Sequence, residues 1–171
     1  MSERPPAHDP SHFRKVLGRF PTGVTIVTAM DGDHPTGLAV GSFTSVSLDP
    51  PLVAFLPTKT SVSYGAVEQS GAFCVNVVAE DQQAITATFA SRAEDKFAGV
   101  DWERTPATGS PRLAGCLAWI DCKVHAVHDG GDHWIVVGHV QEMDVEERDV
   151  GPLLFFSGAY GSFAGAPDRT V

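Results

Sequence analysis

With 171 residues, 43% of them apolar and 19% charged, the chain has the size and composition of one globular domain, which buries about 70% of the surface of its unfolded form. Twelve Lys plus Arg against twenty-one Asp plus Glu leave a net charge of −9, which excludes a general nucleic-acid or anionic-membrane binder, since such partners reward clustered positive charge. No apolar run reaches the ~20 residues of a membrane helix, and the opening ten residues carry no signal-peptide-like apolar segment.

Three cysteines, Cys74, Cys116 and Cys122, form no C-x-x-C and are odd in number, which fits a reduced, cytoplasmic chain. Residues 1–10 and 164–171 read as flexible ends around a domain over 11–163. Ser11 can cap a short helix whose apolar stripe is Phe13, Val16, Leu17 and Phe20, ended by Pro21. Gly23 to Ala29 is a β-branched strand, and Asp31-Gly32-Asp33 turns the chain back.

Residues 36–51 read Thr-Gly-Leu-Ala-Val-Gly-Ser-Phe-Thr-Ser-Val-Ser-Leu-Asp-Pro-Pro. Hydroxyl residues alternate with Phe43, Val46 and Leu48, which predicts a half-buried strand over 36–48, stopped by Pro50-Pro51. Gly37, Ala39, Gly41, Ser42, Thr44, Ser45 and Ser47 leave backbone bare and present hydroxyls. Two readings stay open: a cradle for a flat, polar-edged ligand, or a Ser/Thr-rich edge strand.

Leu52 to Leu56 is a continuous apolar strand. Lys59-Thr60-Ser61 leads into a helix near 62–70, with Gly71 as its stop. Ala72 to Ala79 is a buried strand in which Cys74 reads as a small hydrophobe. Asp81 can cap a second helix carrying Ile85 and Phe89. Residues 98–115, with their Gly and Pro, read as a long loop. Leu117–His128 and His133–Met143 form a hairpin; a turn centred on Gly130-Gly131 would set His128 against His133 and Cys122 against His139. Leu153–Ser157 is a last short strand. Six or seven strands without crossover helices predict a mainly β, antiparallel barrel with a few peripheral helices.

The nucleotide, protease and hydrolase motifs G-x-G-x-x-G, G-x-x-x-x-G-K, H-E-x-x-H and G-x-S-x-G are missing. The paired hairpin histidines nominate no third ligand, so no metal is expected. Lys59, Thr60 and Ser61 at a helix start, and Arg92 after Ser91, suit an anionic group, against simple capping and solvated charge. His133 and Tyr160 lie beside Gly-rich turns and read either as ligand contacts or as rim packing.

In this order, Phe20-Pro21-Thr22-Gly23-Val24-Thr25, Gly37 through Pro51, Gly71 through Val77, Lys96-Phe97-Ala98-Gly99-Val100-Asp101-Trp102, Gly130-Gly131-Asp132-His133 and Pro152 through Phe156 resemble the short-chain flavin reductase family, with its FMN-binding split barrel. The resemblance covers residues ~12–163 and extends to reductase components of two-component flavin-dependent monooxygenases. It implies a homodimer that binds FMN or FAD, oxidises NADH or NADPH, and delivers reduced flavin to a separate monooxygenase. It places the flavin ring along Val40, Gly41, Ser42, Phe43, Thr44 and Ser45, and its phosphate region at Thr58, Lys59, Thr60, Ser61, Ser91 and Arg92, with Phe97 nearby. It assigns His133 and Tyr160 to the nicotinamide. Many relatives carry an amide where this chain has Gly41. A flavin carrier or sensor without NAD(P)H turnover, and a haem-binding or structural barrel, are the alternatives.

Overall fold

The computed structural model describes residues 9–163; of the flexible ends expected at 1–10 and 164–171, residues 1–8 and 164–171 lie outside the described residues, while Asp9 and Pro10 are the cap and first residue of α1. The chain forms α1 (Pro10–Leu17), β1 (Thr22–Gly23), β2 (Thr25–Asp31), β3 (His34–Val40), β4 (Thr44–Leu48), β5 (Pro51–Phe55), α2 (Val62–Ser70) and β6 (Ala72–Val77). A single 3₁₀ turn at Glu80–Gln82 then leads into α3 (Gln83–Ala90), β7 (Trp102–Arg104), β8 (Pro111–Leu113), β9 (Ala118–Gly130), β10 (His133–Val145), β11 (Leu153–Phe156) and β12 (Ala159–Ser162). Seven strands make one antiparallel sheet in the order β3-β2-β6-β9-β10-β5-β4, and the smaller sheets are β1-β11-β12 and β7-β8.

The two edges of the large sheet, β3 and β4, are consecutive in the chain and joined only by Gly41, Ser42 and Phe43. Laid flat, seven strands put their edges roughly 29 Å apart. The link from Val40 to Thr44 spans at most about 14 Å. The sheet must therefore curl until its edges meet. Leu56 N–H donates to Ser42 Oγ (3.0 Å), which holds the link against the end of β5.

β2 is buried on both faces, as its continuous β-branched run requires. Val27 and Ala29 join a core with Phe55, Phe73 and Val136 that α2 caps through Tyr64 and Val67. Ile26 faces a second cluster holding Phe89, Phe97 and Leu153. Phe73 and Phe55 meet edge to face at 5.0 Å. Gly138 on β10 makes room for them, since a Cβ there would stand 2.4 Å from the Phe73 ring. Three backbone bonds, Val24 N–H to Leu153 O, Leu153 N–H to Val78 O and Val78 N–H to Val24 O, tie the β1-β11-β12 sheet to the large one.

Several sequence expectations change. Asp9, not Ser11, caps α1, accepting from Ser11 N–H. The helix ends at Gly18 and leaves Phe13, Val16, Leu17 and Phe20 exposed. The expected strand over 36–48 is two strands, and Val46 and Leu48 are 51% and 96% exposed, because β4 is an edge whose outer face has no cover. Asp81 does not cap α3; it pairs with Arg148 (2.6 Å), and Gln82 Oε1 takes the Ala79 N–H instead.

Residues 98–115 hold the β7–β8 hairpin. Buried side chains of remote strands dock it: Leu113 N–H donates to Asn76 Oδ1 (2.8 Å) and Thr108 N–H to Asp121 Oδ2 (2.9 Å). The β9–β10 loop is Gly131-Asp132, with Gly131 at φ +85°, so His133 pairs with Gly130. The same register sets His128 against Ile135; a shift between Val137 and Gly138 then sets Cys122 against Val140, and a second shift follows between Val140 and Glu142. Beyond the expected last strand, a turn at Ser157-Gly158 leads into β12.

All three cysteines are unpaired and buried, and burial pushes the Cys116 and Cys122 thiols up to about 12 and Cys74 well above the ordinary thiol value. The native protein is expected to resist a thiol reagent at mildly alkaline pH and to take up one equivalent per cysteine in urea. Fast labelling of the native form would contradict this burial.

Candidate functional site

The curled sheet leaves a groove of about 1440 Å³ beside the β3–β4 link. Besides α1, the parts of the chain that meet there include Val40, Gly41 and Ser42; Thr58 and then Thr60 to Ser63 at the start of α2; Phe89 to Glu94 at the end of α3; and Gly130, Asp132 and His133 of the hairpin turn. The turn reaches the α2 segment through backbone pairing. Trp134 N–H donates to Pro57 O (2.9 Å), Lys59 N–H donates to Asp132 O (3.0 Å), and Thr58 bridges His133. Residues 57–59 thus continue the β5–β10 ladder and carry His133 into the groove.

His133 Nδ1–H donates to Asp132 Oδ1 (2.7 Å), which turns Nε2 free for another partner. The same imidazole holds the Asp132 carboxyl below its ordinary value. Ser61 caps α2, accepting from Tyr64 N–H (3.3 Å), and the first residues of the helix, Val62 and Ser63, line the groove. Ser91 closes α3, donating to Thr88 O and accepting from Ala93 N–H. Arg92 has no hydrogen-bond or ion-pair partner among the described residues and lines the groove.

Of the residues expected at a flavin, Val40, Gly41, Ser42, Thr58, Thr60, Ser61, Ser91 and Arg92 share this groove with His133. The others stand elsewhere in the chain. Phe43 packs beside the first core cluster, while Thr44 and Ser45 are exposed on β4. Lys59 turns its ammonium to Asp129 and over the Trp134 ring (4.5 Å). Phe97 is buried between Phe89 (5.0 Å) and Trp102 (5.8 Å). Tyr160 rests on Phe155 (5.4 Å) and does not line the groove with His133.

Lys96 was not singled out as a site residue by the sequence. Its ammonium lines the groove, donating to Phe89 O (3.0 Å), Gly37 O (3.1 Å) and Ser63 Oγ (3.4 Å), and so joins α3, β3 and α2. Among the described residues no carboxylate pairs with it, and burial lowers its pKa. Only its place in the block Lys96-Phe97-Ala98-Gly99 signalled it. Arg14 on α1 also lines the groove, which a helix read as core-facing could not announce.

This arrangement (bare backbone, a helix start, free cations and a histidine held to Asp132 by one nitrogen) suits an anionic, planar ligand. Residues 17–164 match the family model described as flavin reductase like domain. The chain belongs to that family. It is 55% identical to the reductase subunit HsaB of a flavin-dependent monooxygenase from Rhodococcus jostii, over 96% of this chain and 83% of that one. A flavin reductase of Pseudomonas putida is 54% identical, with 92% of each chain covered. Among solved structures, the NADH:FAD oxidoreductase SgcE6 of Streptomyces globisporus, in complex with NAD and FAD fragments, superposes with a TM-score of 0.89 at 36% identity, over 99% of this chain and 100% of that one.

A glycine at position 41 has a local reason. A Cβ there would stand 2.8 Å from Thr22 Oγ1, on a β-branched side chain with little rotamer freedom. Gly41→Asn alone is expected to cost about 1–3 kcal/mol in urea unfolding, and adding Thr22→Ala to recover most of it. Equal costs with and without Thr22 would rule out this contact as the cause.

Proposed function

We propose that this protein is an NADH-dependent flavin reductase that passes hydride to FMN or FAD and supplies the reduced flavin to a separate monooxygenase. One observation carries the reading: the bare Val40–Ser42 backbone, the α2 start, the partnerless Arg92 and His133 all face one groove. The donor set fits a flavin nucleotide, whose flat ring needs open backbone and whose phosphate needs a cation and free N–H groups.

When bound, the flavin supplies the redox chemistry by accepting hydride at N5 from nicotinamide C4. The protein's residues bind and orient. Val40, Gly41 and Ser42 offer a surface close enough for backbone donors to reach the ring edge. Thr58, Thr60, Ser61, Ser91 and Arg92 hold the phosphate. His133, its Nδ1–H committed to Asp132, presents Nε2 to the nicotinamide carboxamide and holds the ring in reach.

Phe43, Thr44, Ser45 and Tyr160 fit a contact completed across a homodimer. Exposed Leu48, Met143, Val145 and Phe156 supply the apolar surface that a second copy covers. Among the described residues no helix is long and apolar enough to cross a membrane. The three free thiols suit the cytoplasm.

The deciding assay is NADH oxidation by the purified protein with and without added FMN or FAD; no flavin-dependent loss of NADH absorbance would leave only a carrier. His133→Ala is expected to raise KM for NADH with little change in flavin affinity, and parental KM and kcat together would remove His133 from the site. Arg92→Ala is expected to weaken flavin binding by about 1.5–3 kcal/mol, read by quenching of flavin fluorescence.

A further inference from the structure

The apolar stripe of α1 points to a purpose that the core does not explain. Pro10, Phe13, Arg14 and Leu17, at positions i, i+3, i+4 and i+7, all line the groove, and none of the helix's residues is buried. One whole face of α1 is therefore a wall of the site. Phe13 and Leu17 are 57% and 55% exposed there.

Arg14 stands between them. Its guanidinium has no hydrogen-bond or ion-pair partner among the described residues, in a chain of net charge −9 where Lys59, Arg112 and Arg148 are all paired. Arg14 and Lys15 both sit in the last turn of α1 and complement its dipole, yet only Arg14 faces the groove. Helix stability accounts for a cation in that turn and not for its direction.

The groove is also larger than one small ligand requires. Its volume of about 1440 Å³ exceeds the roughly 300–1,000 Å³ usual for a drug-sized ligand. In the reading proposed above, Thr58, Thr60, Ser61, Ser91 and Arg92 take one phosphate.

We propose that α1 forms a subsite for the adenosine diphosphate half of a dinucleotide, with Arg14 on the diphosphate and Phe13 and Leu17 against the adenine. This rests on the flavin reductase reading and adds to it a determinant of dinucleotide over mononucleotide. A guanidinium fork matches paired phosphate oxygens, and an aromatic ring with a branched apolar neighbour suits a purine face. FAD and NADH carry the same half, so the test separates them.

The experiment compares the parent protein with Arg14→Met and Arg14→Lys, a safe pair because Arg14 is exposed. Kd is measured for FAD and for FMN by fluorescence quenching, and KM for NADH with FMN as acceptor. If the subsite holds FAD, Arg14→Met raises Kd for FAD at least about tenfold, as loss of a charge-assisted bond should. Kd for FMN then changes less than twofold, and Arg14→Lys restores part of the loss. If the subsite holds NADH, both flavin constants stay put and KM for NADH rises by a similar factor. Equal weakening of FAD and FMN would overturn the proposal, leaving Arg14 a general source of positive field. No change in any of the three constants would overturn it as well. A parent protein that quenches neither flavin would sink the flavin reading itself, and the proposal with it.

Discussion

The short link between the two edge strands is the constraint on which the rest of this structure depends. Gly41, Ser42 and Phe43 join β3 to β4, so a seven-stranded sheet must close on itself within the reach of three residues. Closure puts the link at a seam that no cross-strand ladder fills. Its backbone stays open to solvent, with Ser42 the one side chain that bridges it to Leu56. The groove lies along that seam. An unpaired strip of backbone is ordinarily a liability; here it is the part of the fold that can approach a flat ligand.

The β9–β10 hairpin supplies the second half of the site by the same logic. It pairs with β6 on one side and β5 on the other, so it is held along its length by neighbours from both halves of the barrel. Two register shifts bend it, and its Gly131-Asp132 turn is stitched to residues 57–59. A loop histidine would sample many positions. His133 is the first residue of a ladder strand with one ring nitrogen already committed, so its orientation costs little further ordering on binding.

Electrostatics in the groove runs against the chain as a whole. Arg14, Arg92 and Lys96 line it with Glu94 and Asp132 as the acidic neighbours, in a protein of net charge −9. Lys96 faces three neutral oxygens with no carboxylate in contact. It therefore braces α2, β3 and α3 while keeping its charge beside the α2 start and Ser91-Arg92. Hydride transfer between two bound cofactors asks for this kind of positioning rather than for a proton relay.

The residues alone determined the antiparallel, mainly β architecture and the strands built from β-branched runs, because period-two burial and turn residues act over a few positions. They also marked Val40–Ser42, Thr58–Ser61, Ser91-Arg92 and His133, whose motifs are contiguous. What they could not decide was which side chains share a face. The strand expected over 36–48 breaks at the link because closure of the whole sheet demands it, and Val46 and Leu48 turn outward for want of a neighbour. The β7–β8 hairpin exists because Asn76 and Asp121, 37 and 13 positions away from the groups they accept from, satisfy its backbone. Lys96 and Arg14 enter the groove through the packing of α3 against β3 and the exposed placement of α1. Local chemistry set the elements and the motifs; long-range closure and the satisfaction of buried polar groups decided which of them meet.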